Sequence, residues 1–600
     1  FDVRWAVPVF IHAKTGSRML ITDEIVVKLK PGKDLTSLDG LLHSYGLLLI
    51  KPMWGTQNEY ILRLQDPKAV NPLEAANALF ESELVEWAQP NFIQEYKRSF
   101  IPNDPRLSRQ WHLTGRDNGT PTPGHVRALK AWDIELGNPA ITIAVIDDGV
   151  QRDHPDLAGN IFINPGEIPG NGVDDDGNEF TDDVSGWDFS NNDNDPSPFI
   201  LDDPDGDFHG TAVAGVAAAR GDNGEGGSGA CPLCTILPVK IFNANSIVDD
   251  AGIASAIRYA ASLADVVNNS WSGGGESSVI QSALQDANTQ GRGGRGAVVL
   301  FAAGNSASGY IPTRVLSIPA GTHRFEWVYR KDFSLSAGRD TAWLGWVRFP
   351  DGELVNFGST FPNLPPGWYT KGAAPWVVVQ DAKHADEGLC FVHAAKAGTI
   401  IDNQSTAIGV IKDVPEEGNL IYSAWVSSEP RFDGLRFRLD LDNDGSIALR
   451  TDLQSGIPEV RRRVDYPGRY SQAIAIGASS ARDCRSNYSQ FSPELDFVAP
   501  SSSGPLNLQI FTTDLTSAEG FNPNGNYTPT FGGTSSATPL AAGIAGLVLS
   551  RNPNLTRKQV RQILRDTADK IGPAPYNEKG RNSRYGFGRL NANKAVKAVQ

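Results

Sequence analysis

The sequence predicts an α/β fold, a doubly wound parallel sheet accompanied by separate α+β and β-rich regions. Two observations predict the sheet. Short apolar runs alternate with helical patterns, as repeated βαβ units do. Several of these runs also end in polar residues. Open α/β sheets carry their catalytic and binding residues at the carboxyl ends of the strands. The predicted strands are 141–146, 235–242, 266–269, 297–301 and 473–478.

Six hundred residues are more than one core normally serves, so about three domains are expected. Residues 1–98 are predicted to form a compact α+β unit of βαββαβ-like order. Its predicted strands are 24–30, 60–64 and one that follows 85–89, and its predicted helices are 35–45 and 72–83. The parallel sheet is assigned to 99–311 and 463–600.

Residues 312–462 have a different pattern. Apolar and polar residues alternate there between Pro-Gly and Asp-Gly turns, as in Phe325, Trp327 and Tyr329. Alternation without helical periodicity predicts an inserted β-sandwich.

Composition limits the possible functions. The chain has 54 Lys and Arg against 69 Asp and Glu, a net charge of −15, with the acidic residues clustered. This balance argues against nucleic-acid binding and favours cation sites or a basic partner.

No apolar run is long enough for a transmembrane segment. The chain begins at Phe1 rather than at an initiator methionine, so we expect that a segment has been removed, either by a signal peptidase or artificially. The compartment stays open, with a secreted or periplasmic location favoured.

Cysteines are few. Cys231-Pro-Leu-Cys234 could be a small loop clip, a redox pair or half of a zinc site. No second CxxC and no nearby histidine completes a zinc site, so a clip or free thiols are favoured.

The segment Gly532–Pro539 surrounds Ser535 with small residues and runs directly into an apolar helix pattern. A serine at the mouth of a helix has an exposed hydroxyl beside unpaired backbone N–H groups. That environment suits a nucleophile whose attack creates an oxyanion. Serine is also an ordinary helix cap, so a base, an orienting group and an oxyanion donor are needed as well.

The chain offers all three. Asp147 follows the first predicted strand, His209 opens a His-Gly-Thr run, and Asn305 follows the strand at 297–301. With Ser535, the order along the chain is Asp, His, Asn, Ser.

Together these segments resemble the subtilisin-like serine proteases (subtilases), whose triad follows this order. The resemblance implies that Ser535 is the nucleophile, His209 the general base and then acid, Asp147 the group that holds the imidazole, and Asn305 the oxyanion donor. It also implies substrate-binding roles for Ser270, Trp271 and Gly273.

Some details resemble the kexin-like branch, namely Asp147-Asp148-Gly149, Ser270-Trp271 and Pro539–Gly543. The chain departs from family patterns at Ala212, Ser272, Ser536 and Thr538. In layout it is similar to the calcium-dependent subtilases of cyanobacteria.

The stretch Val464-Asp-Tyr-Pro467 resembles the family segment that lines the primary specificity pocket. By that resemblance, Asp465 lies at the base of the pocket. A carboxylate there favours Arg or Lys at the P1 position, a trypsin-like specificity. The alternatives are a surface aspartate or a calcium ligand.

By resemblance again, residues 1–98 correspond to a subtilase propeptide, which makes the chain a zymogen with its own propeptide as a partner. The dibasic step Lys97-Arg98 suits release by an enzyme of this specificity, although dibasic pairs are common on surfaces.

Calcium is the expected cofactor. Asp174, Asp176 and Asn178 alternate around a glycine, with Asp183 following, and this spacing suits a cation with six to eight oxygen ligands. A solvated acidic loop is the alternative. A second acidic stretch, 188–195, resembles a kexin calcium loop chiefly at Asp195.

A third calcium site, Asp104, Asp156 and Asn223, is implied by the resemblance alone. The run Asp440–Gly445 also alternates carboxylates, but Thr451 stands where an acidic residue would complete the loop.

The sequence thus predicts a calcium-dependent serine endopeptidase that hydrolyses protein or peptide substrates with basic residues through an acyl-enzyme. The rival hypothesis is an adhesive or binding protein in which the β-sandwich is the functional part.

Overall fold

The computed structural model describes most of the chain and divides it into two compact units, Phe1–Ser99 and Phe100–Gln600. The described residues are 9–11, 18–94, 100–199, 206–243, 246–307, 313–332, 341–380, 393–427, 433–441, 443, 447, 449–454, 463–502, 508–573 and 575–599. The dibasic step Lys97-Arg98 and much of the acidic run 440–445 lie outside them.

In the first unit an antiparallel sheet packs against a helix. Its strands are Val9–Ile11, Arg18–Leu29, Leu47–Pro52, Glu59–Leu64 and Val85–Gln94. Its helices are a 3₁₀ turn Leu35–Leu38 and the α-helices Asp39–Ser44 and Pro72–Glu81. Asn71 starts the longer helix because its side chain accepts the N–H of Leu73 at 2.9 Å. Omitting the short first strand, the order is βαββαβ, the order expected from the sequence.

The second unit is built on a seven-stranded sheet in which every neighbouring pair of strands is parallel. In spatial order the strands are Leu495–Pro500, Ile474–Ser479, Val298–Ala302, Val266–Asn269, Thr142–Asp147, Thr235–Lys240 and Trp187–Asp188. The prediction of a doubly wound parallel sheet is therefore confirmed. The five predicted strands are all present, and the two edge strands were not predicted.

Alternate residues of the central strand Thr142–Asp147 face opposite cores. Ile143 and Val145 pack with the helices His209–Ala218 and Gly533–Arg551. Ala144 and Ile146 pack on the other face with the helices Asp250–Leu263 and Ser278–Thr289. Because helices cover both faces, all six residues of this strand are buried.

Smaller elements surround this sheet. Further helices are Trp111–Thr114, Ala128–Trp132, Arg557–Thr567 and Ala592–Ala598, with 3₁₀ turns Leu107–Arg109 and Ala158–Asn160. The pairs Arg116–Asp117 with Thr120–Pro121, Phe242–Asn243 with Ser246–Ile247, and Ile510–Thr513 with Tyr527–Phe531 form two-stranded sheets. Thr556 and Gln559 form a capping box at the start of the helix Arg557–Thr567.

The described residues between 313 and 454 form two antiparallel sheets that share one apolar core, including Phe325, Trp327 and Tyr329. The first sheet contains Thr313–Ile318, Gly418–Ser427, Thr341–Arg348, His393–Lys396, Val377–Gln380 and Leu354–Val355. The second contains Trp368–Gly372, Ser405–Val414, Gly321–Arg330, Gly434–Asp440 and Leu449–Gln454.

Cys231 and Cys234 form a disulfide, and both are fully buried. Of the alternatives open in the sequence, the structure therefore shows the loop clip. Within the described ranges, no helix is both long enough and apolar enough to cross a membrane.

Candidate active site and cation sites

Asp147 and His209 meet at the carboxyl end of the central strand Thr142–Asp147. Asp147 is the last residue of its strand and His209 the first residue of a helix, and His209 Nδ1 lies 2.8 Å from Asp147 Oδ1. Burial lowers the pKa of His209, but the Asp147 carboxylate outweighs this effect and raises the pKa to about 9. The pair thus favours the protonated imidazole, the form produced when histidine accepts a proton from a nucleophile.

Asp148 holds the start of the same helix. Its two carboxylate oxygens accept the backbone N–H groups of His209 at 3.0 Å and of Gly210 at 2.6 Å. These N–H groups belong to the first turn of the helix, where backbone N–H groups have no acceptor within the helix itself. Burial, and then the charge of Asp147, raise the pKa of Asp148.

Ser535 lies in the first turn of the helix Gly533–Arg551. Its hydroxyl donates to the carbonyl of Ser270 at 2.9 Å, while the Ser270 hydroxyl donates to the carbonyl of Ser535 at 3.0 Å. Gly533, two residues earlier, has a φ of +73°, a left-handed conformation that favours glycine. These contacts fix the helix start beside the strand end at Ser270.

Asn305 is oriented by the residue before Ser535. Its Oδ1 accepts both the backbone N–H of Thr534 at 2.8 Å and the Thr534 hydroxyl at 2.9 Å. With its oxygen so engaged, the exposed amide has Nδ2 left to donate. The arrangement leaves a neutral N–H donor beside the candidate nucleophile.

Asp465 is half-buried between two segments of this site. Its backbone N–H donates to the carbonyl of Ala303, and the neighbouring carbonyl of Tyr466 accepts the N–H of Gly273 at 2.9 Å. Its carboxylate accepts from Gln490 Nε2 at 3.1 Å and from Ser272 Oγ at 3.5 Å. The carboxylate therefore lies among neutral polar groups.

The other predicted substrate-binding residues contribute in different ways. Ser270 is buried, and its carbonyl accepts the hydroxyl of Ser535. The indole of Trp271 donates to the carbonyl of Ile146 at 3.0 Å and packs against Phe242 and Phe301. The indole of Trp271 is thus engaged within the protein.

Asp104, Asp156 and Asn223 come together from three distant segments. Asp104 accepts the N–H of Asn223 at 3.2 Å, and Asp156 accepts the side-chain amide of Asn223 at 2.9 Å. Burial raises the pKa of Asp104 and raises that of Asp156 to about 6. In the described part of the chain, neither carboxylate forms an ion pair with lysine or arginine. The carboxylate oxygens accept hydrogen bonds only from neutral amide groups of the described residues, so they keep their negative charge available for a calcium ion.

The acidic loop brings a different set together from the one predicted. Ligand oxygens of Glu167, Asp176 and Asp183 lie within 4.8 Å of one another. Asn178 donates its amide to Asp183 at 3.2 Å and so borders this group. Glu167 was not predicted, because it precedes the alternating run.

Asp174 is outside that group. Its carboxylate accepts three N–H groups of its own loop, those of Gly177 and Glu179 at 2.8 Å and that of Asn178 at 3.1 Å. A role as a calcium ligand stays a prediction for Asp174.

Asp195 pairs with a cation of the chain. Its Oδ1 accepts from Arg152 at 2.6 Å, and the carboxylate is largely exposed. An aspartate neutralised by arginine has less to offer a metal, and within the described residues it joins none of the carboxylate groups above.

Comparison with known proteins places the chain among proteases. A model of the subtilase family matches residues 138–337 and 458–588. A calcium-dependent protease of Nostoc sp. is 26% identical over 608 residues, covering 99% of this chain and 66% of that protein. A thermophilic serine proteinase of Bacillus sp. is 33% identical over 242 residues, 40% of this chain and 49% of that protein.

The solved structure of the serine protease of Aeromonas sobria aligns with 84% of this chain and covers 68% of the Aeromonas chain. The sequence identity is 17% and the TM-score is 0.49. This chain spans just under two thirds of the length of the Nostoc protein, 66%.

Proposed function

The chain belongs to the subtilase family, and from that premise we propose that it is a calcium-dependent serine endopeptidase that cleaves after arginine or lysine. The observation that carries the proposal is the hydrogen-bonded pair Asp147 and His209. It is joined by the Asn305 amide, which Thr534 orients, and by the hydroxyl of the next residue, Ser535, which donates to the Ser270 carbonyl in this structure.

In the proposed reaction, Ser535 Oγ attacks the carbonyl carbon of the scissile peptide bond while His209 Nε2 takes the hydroxyl proton. His209 returns that proton to the departing amine, which leaves an acyl-enzyme on Ser535. Water, deprotonated by His209, then hydrolyses the ester. Asp147 keeps Nδ1 of the ring protonated, so that Nε2 is free to accept.

The oxyanion formed in each step requires donors placed in advance. Asn305 Nδ2 supplies one, because Thr534 already binds the amide oxygen. Backbone N–H groups at the start of the serine helix are the second source.

Calcium is proposed at two places. Asp104, Asp156 and Asn223 would hold one ion, and Asp176 and Asp183 together with Glu167 would hold another. Bound calcium would neutralise carboxylates that lie close together and are mostly buried; of the five, Asp176 is exposed. The name of the Nostoc relative, calcium-dependent protease, agrees with this proposal.

Specificity for a basic P1 residue is proposed from Asp465. The Asp465 carboxylate is half-buried, and its hydrogen-bond donors among the described residues, Gln490 and Ser272, are neutral. A cationic side chain would stabilise such a carboxylate. The expected substrates are proteins or peptides with basic residues.

The rest of the chain is proposed to regulate or support this activity. Residues 1–98 would act as a propeptide, and 99–311 with 463–600 as the catalytic domain. Residues 312–462 would be an inserted β-sandwich, and the described residues of this region share an apolar core.

A cleavage-site profile on a peptide library, with and without chelator, tests the proposal. We expect cleavage after arginine and lysine that is abolished in Ser535→Ala and reduced by chelator. Full activity in a correctly folded Ser535→Ala variant would overturn the mechanism.

A further inference from the structure

Beneath Asp465 lies a second polar group that the proposed mechanism does not use. Gln490 is fully buried, and its backbone N–H donates to the carbonyl of Gly304 at 3.0 Å. Its side-chain amide donates from Nε2 to Asp465 Oδ1 at 3.1 Å. Gln490 thus ties the loop that carries it to both Asp465 and the strand end before Asn305.

The amide oxygen of Gln490 has no hydrogen-bond partner within the described structure. An unpaired polar atom in a buried position is costly, so it normally indicates a missing donor. The same amide cannot turn to correct this, because its N–H group is held by Asp465.

Gly304 shows which way these atoms face. It has a φ of +104°, and a Cβ built on it would overlap Gln490 Oε1 and lie 2.5 Å from Asp465 Oδ2. The two oxygens therefore pack against the same side of Gly304, with Gln490 Oε1 close to where a Cβ would stand. Gly304 directly precedes the exposed Asn305, so both oxygens lie next to the candidate active site.

We infer that Gln490 is a specificity-determining residue: it positions the Asp465 carboxylate and offers Oε1 as a further acceptor, so that the pocket takes a guanidinium group. Arginine presents five N–H donors in a planar fork, which can reach two separate acceptors at once. Lysine has a compact ammonium at the end of a shorter chain. This inference rests on the proposed function and adds a preference for arginine over lysine.

The test compares kcat/KM for matched peptides with Arg, Lys or Leu at P1, in the full chain and in Gln490→Leu. We expect the Arg-to-Leu ratio to fall about tenfold to a hundredfold, the effect of losing hydrogen bonds to a charged group, mainly through KM. The Arg-to-Lys ratio should fall as well. Each ratio is measured within one preparation. Misfolded enzyme lowers the apparent kcat/KM for all three peptides equally, so its effect cancels in the ratio.

Gln562→Leu is the matched control, since Gln562 also donates to an aspartate, Asp566, at 2.7 Å, but on an exposed helix face. Gln490→Met repeats the test with an unbranched side chain. Unchanged ratios in both Gln490 variants, with basic preference lost in Asp465→Gly, would overturn this inference and leave the proposed specificity standing. An unsubstituted enzyme that cleaves without any basic preference would overturn both.

Discussion

The carboxylate of Asp148 accepts the backbone N–H of His209 at 3.0 Å, so the residue after the candidate orienting aspartate also fixes the start of the histidine helix. Its charge lies at the positive end of the helix dipole and near the imidazole. Two consecutive aspartates therefore act on one histidine, one through the ring and one through the backbone.

Replacing this charge should change the pH dependence of activity. In Asp148→Asn the amide can accept only one of the two N–H groups, and the negative charge is lost. His209 must be neutral to accept a proton, so activity falls below its pKa. Loss of a nearby negative charge lowers that pKa, and the acid limb of kcat/KM should move to lower pH by about one unit.

The measurement is a pH–rate profile of Asp148→Asn beside that of Asp153→Asn, an exposed aspartate five residues further on. An acid limb unchanged from that of the unsubstituted enzyme would show that Asp148 has no electrostatic effect on His209.

Asn305→Leu should lower kcat with little change in KM. The oxyanion exists only after attack, so its donor contributes to the transition state rather than to substrate binding. A loss of about 10²–10³ in kcat is expected, the range known for removing an oxyanion donor in a subtilisin.

Thr534→Val provides a graded comparison for that variant. It removes the hydroxyl that holds Asn305 Oδ1 but keeps the backbone N–H bond, so a smaller loss is expected. A wild-type kcat in Asn305→Leu would exclude this asparagine as a donor.

Removal of calcium should lower the melting temperature. Asp104, Asp156 and Asn223 lie on segments that meet only in the folded chain, so calcium binds the folded state preferentially. At a hundredfold excess over Kd, one site stabilises the fold by about 2.7 kcal/mol.

Thermal unfolding with calcium and with chelator measures this effect. Asp156→Asn should show a smaller calcium-dependent shift than the control Asp153→Asn. Equal melting temperatures with and without chelator, together with the absence of metal by elemental analysis, would rule out a calcium requirement.

Asp465→Gly should weaken cleavage after arginine far more than cleavage after leucine or phenylalanine. Losing the partner of a desolvated cation costs about 2 kcal/mol or more, roughly thirtyfold in kcat/KM. Steady-state kinetics on three peptides that differ only at P1 provide the comparison. Equal losses on all three would show that Asp465 does not select the substrate.

Active enzyme should begin shortly after Lys97-Arg98. N-terminal sequencing of the active form and of Ser535→Ala tests this, because the inactive variant should retain the first 98 residues if release is autocatalytic. An active form that starts at Phe1 and is never cut in this region would contradict the zymogen hypothesis.

Local patterns in the sequence predicted much of the fold. Asp147 at the end of its strand, and Asn305 three residues after the strand Val298–Ala302, were predictable sites. Buried parallel strands are continuously apolar, so the polar residues that follow them are easy to recognise. The edge strand Trp187–Asp188 has only two residues, too few for any periodicity. In the first unit, Leu47–Pro52 is largely exposed after its first residue, so its apolar run lacks the alternation of a half-buried strand.

Contacts between distant residues could not be predicted in the same way. Gln490 is 25 residues from Asp465 and Thr534 is 229 from Asn305, and no spacing rule connects either pair. Glu167 joins the acidic group through folding of its loop, since it accepts the N–H groups of Asp175 and Asp176. For Asp195, the charge of Arg152 decides its environment, and that partner is 43 residues away.

The long separation between Asn305 and Thr534 also determines when a growing chain can become active. A ribosome makes Asp147, His209 and Asn305 first, and then the two antiparallel sheets of 313–454, before it reaches Ser535. On the proposed mechanism, the nascent chain then has a base and an oxyanion donor but no nucleophile. The strand Val298–Ala302 pairs with Ile474–Ser479, so this part of the parallel sheet forms only after the intervening sheets have been synthesised. Proteolysis would therefore wait until the ribosome has passed Ser535.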